Sequence, residues 1–130
     1  MKIIDGKKAT LGRLASYVAK EVLKGEEIVI LNCDEVIITG NKKYIEKEFL
    51  EKRSRFGSSQ KGPKHLKSSD RMVKRTIRGM LPNYREGRGR EVWKKIKCYV
   101  GVPKEFEGAK TIKAGKEKTC KYSAIKEFSK

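Results

Sequence analysis

Seven apolar residues, Leu11, Leu14, Ala15, Val18, Ala19, Val22 and Leu23, recur at i, i+3, i+4, i+7, i+8, i+11 and i+12. Only a helix gathers that set onto one side, so the stripe predicts an amphipathic helix that must be covered. Thr10 stands where an N-cap belongs, and Gly25 follows as a left-handed cap would. A short strand-like segment, Lys2 to Asp5, precedes the helix and runs into a turn at Gly6. After it, Ile28-Val29-Ile30-Leu31 is continuous, apolar and largely β-branched, the pattern of a strand buried on both faces. Strand, helix and buried strand within about thirty residues make a βαβ unit, expected to be right-handed. Val36 to Thr39 reads as a third strand, closed by Gly40-Asn41. Tyr44, Ile45, Glu48, Phe49 and Lys52 then suggest a second helix to about Arg53.

Charge is distributed unevenly along this frame. Residues 1–50 carry nine Lys and Arg against eight Asp and Glu, whereas residues 51–130 carry twenty-four against eight. Nearly all of the net charge of +17 therefore lies in the second part. The block from Lys52 to Lys97 has only Asp70, Glu86 and Glu91 as acids. An excess of this kind repels itself unless a polyanion neutralises it. The front of the chain reads as a platform and the middle as a surface for nucleic acid.

The middle has its own organisation. Residues 54–67 hold Gly, Ser and Pro without apolar period, which predicts a loop that stays mobile until a partner orders it. Ser69 opens a third helix with Asp70 at its electropositive start, and Pro82 stops it. Met72, Val73, Thr76, Ile77, Met80 and Leu81 line one face of that helix. Arg71, Lys74, Arg75 and Arg78 fall at i, i+3, i+4 and i+7 on another, with Asp70 as the one acid within a turn. Like charges so placed repel by a few tenths of a kcal/mol per pair, about 0.2–0.5. An anionic partner removes that penalty. Arg53, Arg55, Lys61, Lys64 and Lys67 extend the surface before the helix. Arg85, Arg88, Arg90, Lys94 and Lys95 extend it afterwards, partly within residues 83–90, a second flexible basic loop. Glycine lets backbone approach phosphate, and Arg presents a planar fork matched to phosphate oxygens. Phe56 and Tyr84 read equally as base-stacking groups or as core packing, His65 as a phosphate or base contact, and Trp93, though able to stack, as core. Asn41, Lys42 and Lys43 open the second helix and suit a further phosphate contact at its N-terminus. Ile96 to Val100 alternates as a last strand. Beyond Pro103 the chain is Lys-rich, and only Tyr122 to Phe128 reads as a short helix.

Enzyme signals in the sequence are weak. It has no P-loop, no GxGxxG after a strand, no GxSxG and no metal-ligand cluster. Asp5 and Asp34, acids near strand ends, are explained by turns and caps. Cys33, Cys98 and Cys120 are widely spaced and odd in number, which reads as reduced thiols in a cytoplasmic protein. No apolar run reaches the ~18 residues of a membrane span. A processing enzyme or a chromatin-like DNA binder would use the same charge, but the former needs a pocket of perturbed titratable groups that the sequence does not display.

Four ordered motifs resemble one family. Ile4-Asp5-Gly6 through Leu11-Gly12-Arg13-Leu14-Ala15-Ser16, Val29 to Lys42, Gly62-Pro63-Lys64-His65, and Arg75-Thr76-Ile77-Arg78-Gly79-Met80-Leu81-Pro82 are similar to the universal large-subunit ribosomal proteins of the L-thirteen family, in their archaeal or eukaryotic form. The resemblance spans residues 3 to about 103. It implies a three-layer α/β/α domain on a small, mostly parallel mixed sheet of about four strands, placed at residues 1–103, while the Lys-rich stretch over 104–130 matches none of its motifs and reads as an extension. It also implies a non-enzymatic constituent of the cytoplasmic ribosome that binds large-subunit rRNA, sits among neighbouring ribosomal proteins and supports subunit assembly without a cofactor. By motif, the RNA-facing positions it implies are Arg13, Asn41, Lys42, Lys64, His65, Arg75, Arg78 and Gly79.

Overall fold

The computed structural model describes residues 1–55, 64–115 and 120–129. Elements run in the order β1 (Lys2–Asp5), α1 (Leu11–Leu23), β2 (Ile28–Leu31), β3 (Ile37–Thr39), α2 (Lys42–Ser54), α3 (Ser69–Gly79), α4 (Gly87–Lys94), β4 (Ile96–Cys98), β5 (Ile112–Lys113) and β6 (Tyr122–Ala124). The chain is α/β, as its pattern implied. Four strands in the order β4-β2-β1-β5 form a sheet whose described pairings are all parallel. All four residues of β2 are buried, which is why this segment tolerates no polar side chain. Register sets Ile4 opposite Ile30 on one side and Ile112 on the other.

The core forms where the α1 stripe meets that sheet. Leu14, Ala15, Val18 and Val22 join Ile4, Ile28, Ile30 and Ile96, and Val73 and Ile77 of α3 complete the cluster. α3 thus packs against α1 and β4, with its apolar side inward. Gly6 turns the chain out of β1 so closely that a Cβ there would lie 2.9 Å from both the Leu31 carbonyl oxygen and Val36 Cγ2. Cys33 is buried, Cys98 half-buried and Cys120 exposed, and all three are free.

Val36–Thr39 holds the expected third strand: β3 pairs antiparallel with β6, Ile38 opposite Ser123. Three other local expectations need correction. Tyr122 to Phe128 is therefore not a helix but strand β6 followed by a 3-10 turn at Ile125–Glu127, because Ile125 and Phe128 are pulled into the core. Residues 83–90 are not one loop: helix α4 starts at Gly87. Thr10 precedes α1 but makes no side-chain cap. Strands β5 and β6 both lie beyond Pro103, so the Lys-rich stretch takes part in both sheets. Most of the 54–67 loop, including Phe56 and Lys61, lies outside the described residues.

Candidate nucleic-acid interface

Helix α3 presents Arg71, Lys74, Arg75 and Arg78 together, as their spacing required. Burying Val73 and Ile77 on the opposite side fixes the rotation of the helix and aims these four cations outward. They do not stand on a ridge. They line one side of a cavity of about 400 Å³, open to solvent, between the segment before α3, α3 itself and the turn into α4. Lys64 and Leu66 come from the first of these, Tyr84 and Arg85 from the turn, and Trp93 from α4. Six cations thus surround one concavity, and no acidic residue lines it. Among the described residues, no ion pair reaches any of the six.

Aromatic rings hold the cations instead. Lys74 Nζ sits 4.8 Å from the Trp93 ring centroid, and Arg78 Cζ 4.6 Å from that of Tyr84. Arg85 adds a second cation 5.6 Å from the Tyr84 centroid, and its Nε donates to the Tyr84 hydroxyl at 3.2 Å. That hydrogen bond, with the Arg85 charge, lowers the Tyr84 pKa. The two rings lie 6.4 Å apart and tilted at 58°, a packing that ties the turn to α4. Cation–π contacts neutralise no charge, so the electrostatic demand for an anion is undiminished.

His65 reaches the same site through Arg75, whose Nη1 donates to His65 Nδ1 at 2.8 Å. Burial, then the positive charge of Arg75, depresses the His65 pKa, which keeps the ring neutral and its nitrogen able to accept. A histidine reads here as a strut that orients an arginine.

The remaining sequence candidates are placed elsewhere. Asn41 caps α2, its Oδ1 accepting from the Lys43 backbone at 3.2 Å. Lys42 pairs with Glu127 at 2.9 Å, and Arg55 with Glu51 at 2.6 Å. Arg53 lies over the Phe49 ring at 5.9 Å. Arg88 and Lys95 turn toward the end of α1, donating to the carbonyls of Leu23 at 2.8 Å and Gly25 at 3.1 Å. There they satisfy acceptors that a helix terminus leaves open. Arg13, Lys67, Gly79, Arg90 and Lys94 are exposed outside the cavity lining. Trp93, read as core from sequence, is half-buried: it packs against the core and also lines the cavity. Leu66, which sequence reasoning passed over, is 46% exposed at the same site. It sits in a segment without period, so no pattern marked it. Lys7, Lys8 and Lys113 were also passed over; with Asp5 they line a smaller cleft, about 250 Å³, beside the ends of β1 and β5.

A family model described as ribosomal protein L13 matches residues 1–105. The large ribosomal subunit protein uL13 of Methanocaldococcus jannaschii is 47% identical, over 100% of this chain and 96% of its own length. That of Methanococcus maripaludis is 45% identical over 99% and 95%. That of Methanosarcina barkeri is 49% identical over 86% and 79%.

Proposed function

The chain belongs to the ribosomal protein L13 family, and we propose that it binds large-subunit rRNA chiefly through the cavity beside α3. As a member it is a structural, non-enzymatic constituent of the large ribosomal subunit. The observation that carries the rRNA reading is the ring of six cations around one concavity with no acid in its lining. Folding alone gives no reason to gather them, since each added like charge raises the energy of the free protein. The sheet and α1 form the platform, and the basic segments before and after α3 close on RNA. Bridging rRNA segments that otherwise repel is the way such a surface supports subunit assembly. The exposed Tyr44 and Leu50 on α2 suit contact with neighbouring ribosomal proteins. Among the described residues, no helix is long and apolar enough to cross a membrane.

The test is the salt dependence of binding. Each phosphate neutralised contributes about −0.7 to −0.9 to the log–log slope of affinity against salt. Replacing Arg75 and Arg78 together by Ala should make the slope with a large-subunit rRNA fragment shallower by roughly 1.5. Thermal unfolding of the free protein should be little changed, because neither side chain is in the core cluster. An unchanged slope with a large fall in Tm would assign these arginines to the fold instead.

A further inference from the structure

We propose that the α3 cavity receives a single unpaired nucleotide of the RNA, its base inserted against Tyr84 and Trp93 and its phosphate held by Arg71 and Arg75. This rests on the rRNA-binding reading and says which RNA feature the site takes. Three observations carry it. The first is shape: the cations surround a cavity of about 400 Å³. A duplex presents its phosphates along convex rails, which a flat or ridged basic surface meets as well. A concavity of this size, within the ~300–1,000 Å³ range of small-molecule pockets, suits something that inserts.

The second is composition. Contact with phosphate alone needs no aromatic wall, yet Tyr84, Trp93 and Leu66 lie among the cations. Every base offers a π-face, and stacking on an aromatic ring or a guanidinium plane is how unpaired bases are held. The third is the arrangement of the cations over those rings. Arg78 lies 4.6 Å from the Tyr84 centroid and Lys74 lies 4.8 Å from that of Trp93. Among the described residues, neither side chain has an ion pair beside these ring contacts. A base can slide beneath them or stack on the Arg78 guanidinium, and either arrangement keeps a cation beside the incoming phosphate. Arg75, oriented by His65 at 2.8 Å, is the preset member of the set.

Trp93 is the only tryptophan in the chain, so its fluorescence reports on this cavity without labelling. The full-length protein is titrated with three RNA hairpins of equal charge pattern: one with a single bulged adenosine, one with an abasic bulge, and one fully paired. The bulged adenosine is expected to bind roughly tenfold tighter than the abasic bulge, within the range of base–aromatic stacking, and to quench Trp93. The salt slopes of the two bulged hairpins should coincide, because their phosphates are the same. Tyr84→Ala should abolish the preference for a base, and Tyr84→Phe should retain it. Equal affinity and equal quenching for the bulged and abasic hairpins would overturn the inference while leaving RNA binding intact. Preference for the fully paired hairpin would overturn it in favour of duplex recognition. Failure to bind any of the three with a salt-dependent affinity would overturn the rRNA reading as well.

Discussion

Glu21 occupies the apolar stripe of α1, one turn from Val18, and only 7% of it is exposed. Burying a carboxylate is costly unless charged partners satisfy it. Two do so here: Lys2, at the start of β1, and Lys24, one turn further on, at 2.6 Å. Their hydrogen bonds, Lys2 first, hold the Glu21 carboxyl down to about 2 from an ordinary value of 4.5. A carboxyl with a depressed folded pKa stabilises the protein fully above its unfolded value, and loses that contribution as pH falls toward the folded one. Glu21→Gln should therefore lower the Tm at pH 7. The Tm values of the variant and the parent should converge between pH 4.5 and 2, as read by thermal melts across that window. A constant difference across the range would show that the charge is not what matters. The helical period alone excludes a charge at position 21, because the partner that makes it tolerable lies nineteen residues away. The cations of α3 are the opposite case. Their grouping follows from local spacing, and the burial of Val73 and Ile77 leaves it intact, so this part of the site was legible from residue numbers alone.

Helix α4 shows how packing overrides local composition. Gly87-Arg88-Gly89-Arg90 contains two glycines, each costing a helix about 1 kcal/mol relative to alanine, and reads as a loop. The structure starts a helix there because Gly89 lies directly against the turn that ends α3. A Cβ at that position would come within 2.1 Å of the Asn83 carbonyl oxygen and 2.7 Å of that of Pro82. Both neighbours are backbone and cannot swing aside. The glycine is required for closeness, and closeness is what brings Trp93 of α4 to within 6.4 Å of Tyr84 in the turn. Gly89→Ala should cost about 1–3 kcal/mol of stability, the usual range for overpacking, despite its better helix propensity. It should also shift Trp93 emission toward that of a solvated indole, because α4 must move off the turn. Denaturant titration followed by both circular dichroism and fluorescence separates the two effects. A gain in stability with unchanged emission would remove the packing argument and leave only propensity.

The pairings that close the molecule join distant parts of the chain, and these were the least legible. Alternation and apolar runs found β1, β2 and β4, because each carries its own signal. Nothing in Thr111 to Ala114 announces a strand, yet Ile112 and Lys113 pair with Ile4 and Asp5 at the sheet edge. Nor does Tyr122 to Ala124 announce the partner of β3, whose buried Ile37 lies opposite Ala124. Beyond the strands, Ile125 is fully buried and the Phe128 ring sits 5.6 Å from that of Phe49, one of the few contacts by which α2, with no buried residue of its own, leans on the body. Lys42 adds its ion pair with Glu127 to the same junction. The segment beyond Pro103 therefore supplies one edge strand of the main sheet, half of the small sheet and the seat of α2. Full burial of a side chain such as Ile125 or Phe128 contributes roughly 1.5–3 kcal/mol, against a net stability of about 5–15 kcal/mol for a domain. Two such side chains and five strand residues thus make up a large share of what holds the fold. A fragment ending at Pro103 should melt broadly and without a cooperative transition, and its 44–54 region should exchange amide hydrogens faster than in the whole chain. Calorimetry and hydrogen exchange decide the matter. If the fragment melted cooperatively within a few degrees of the full-length protein, residues 104–130 would be an appendage to a complete domain, and the strands they form would follow the fold rather than support it.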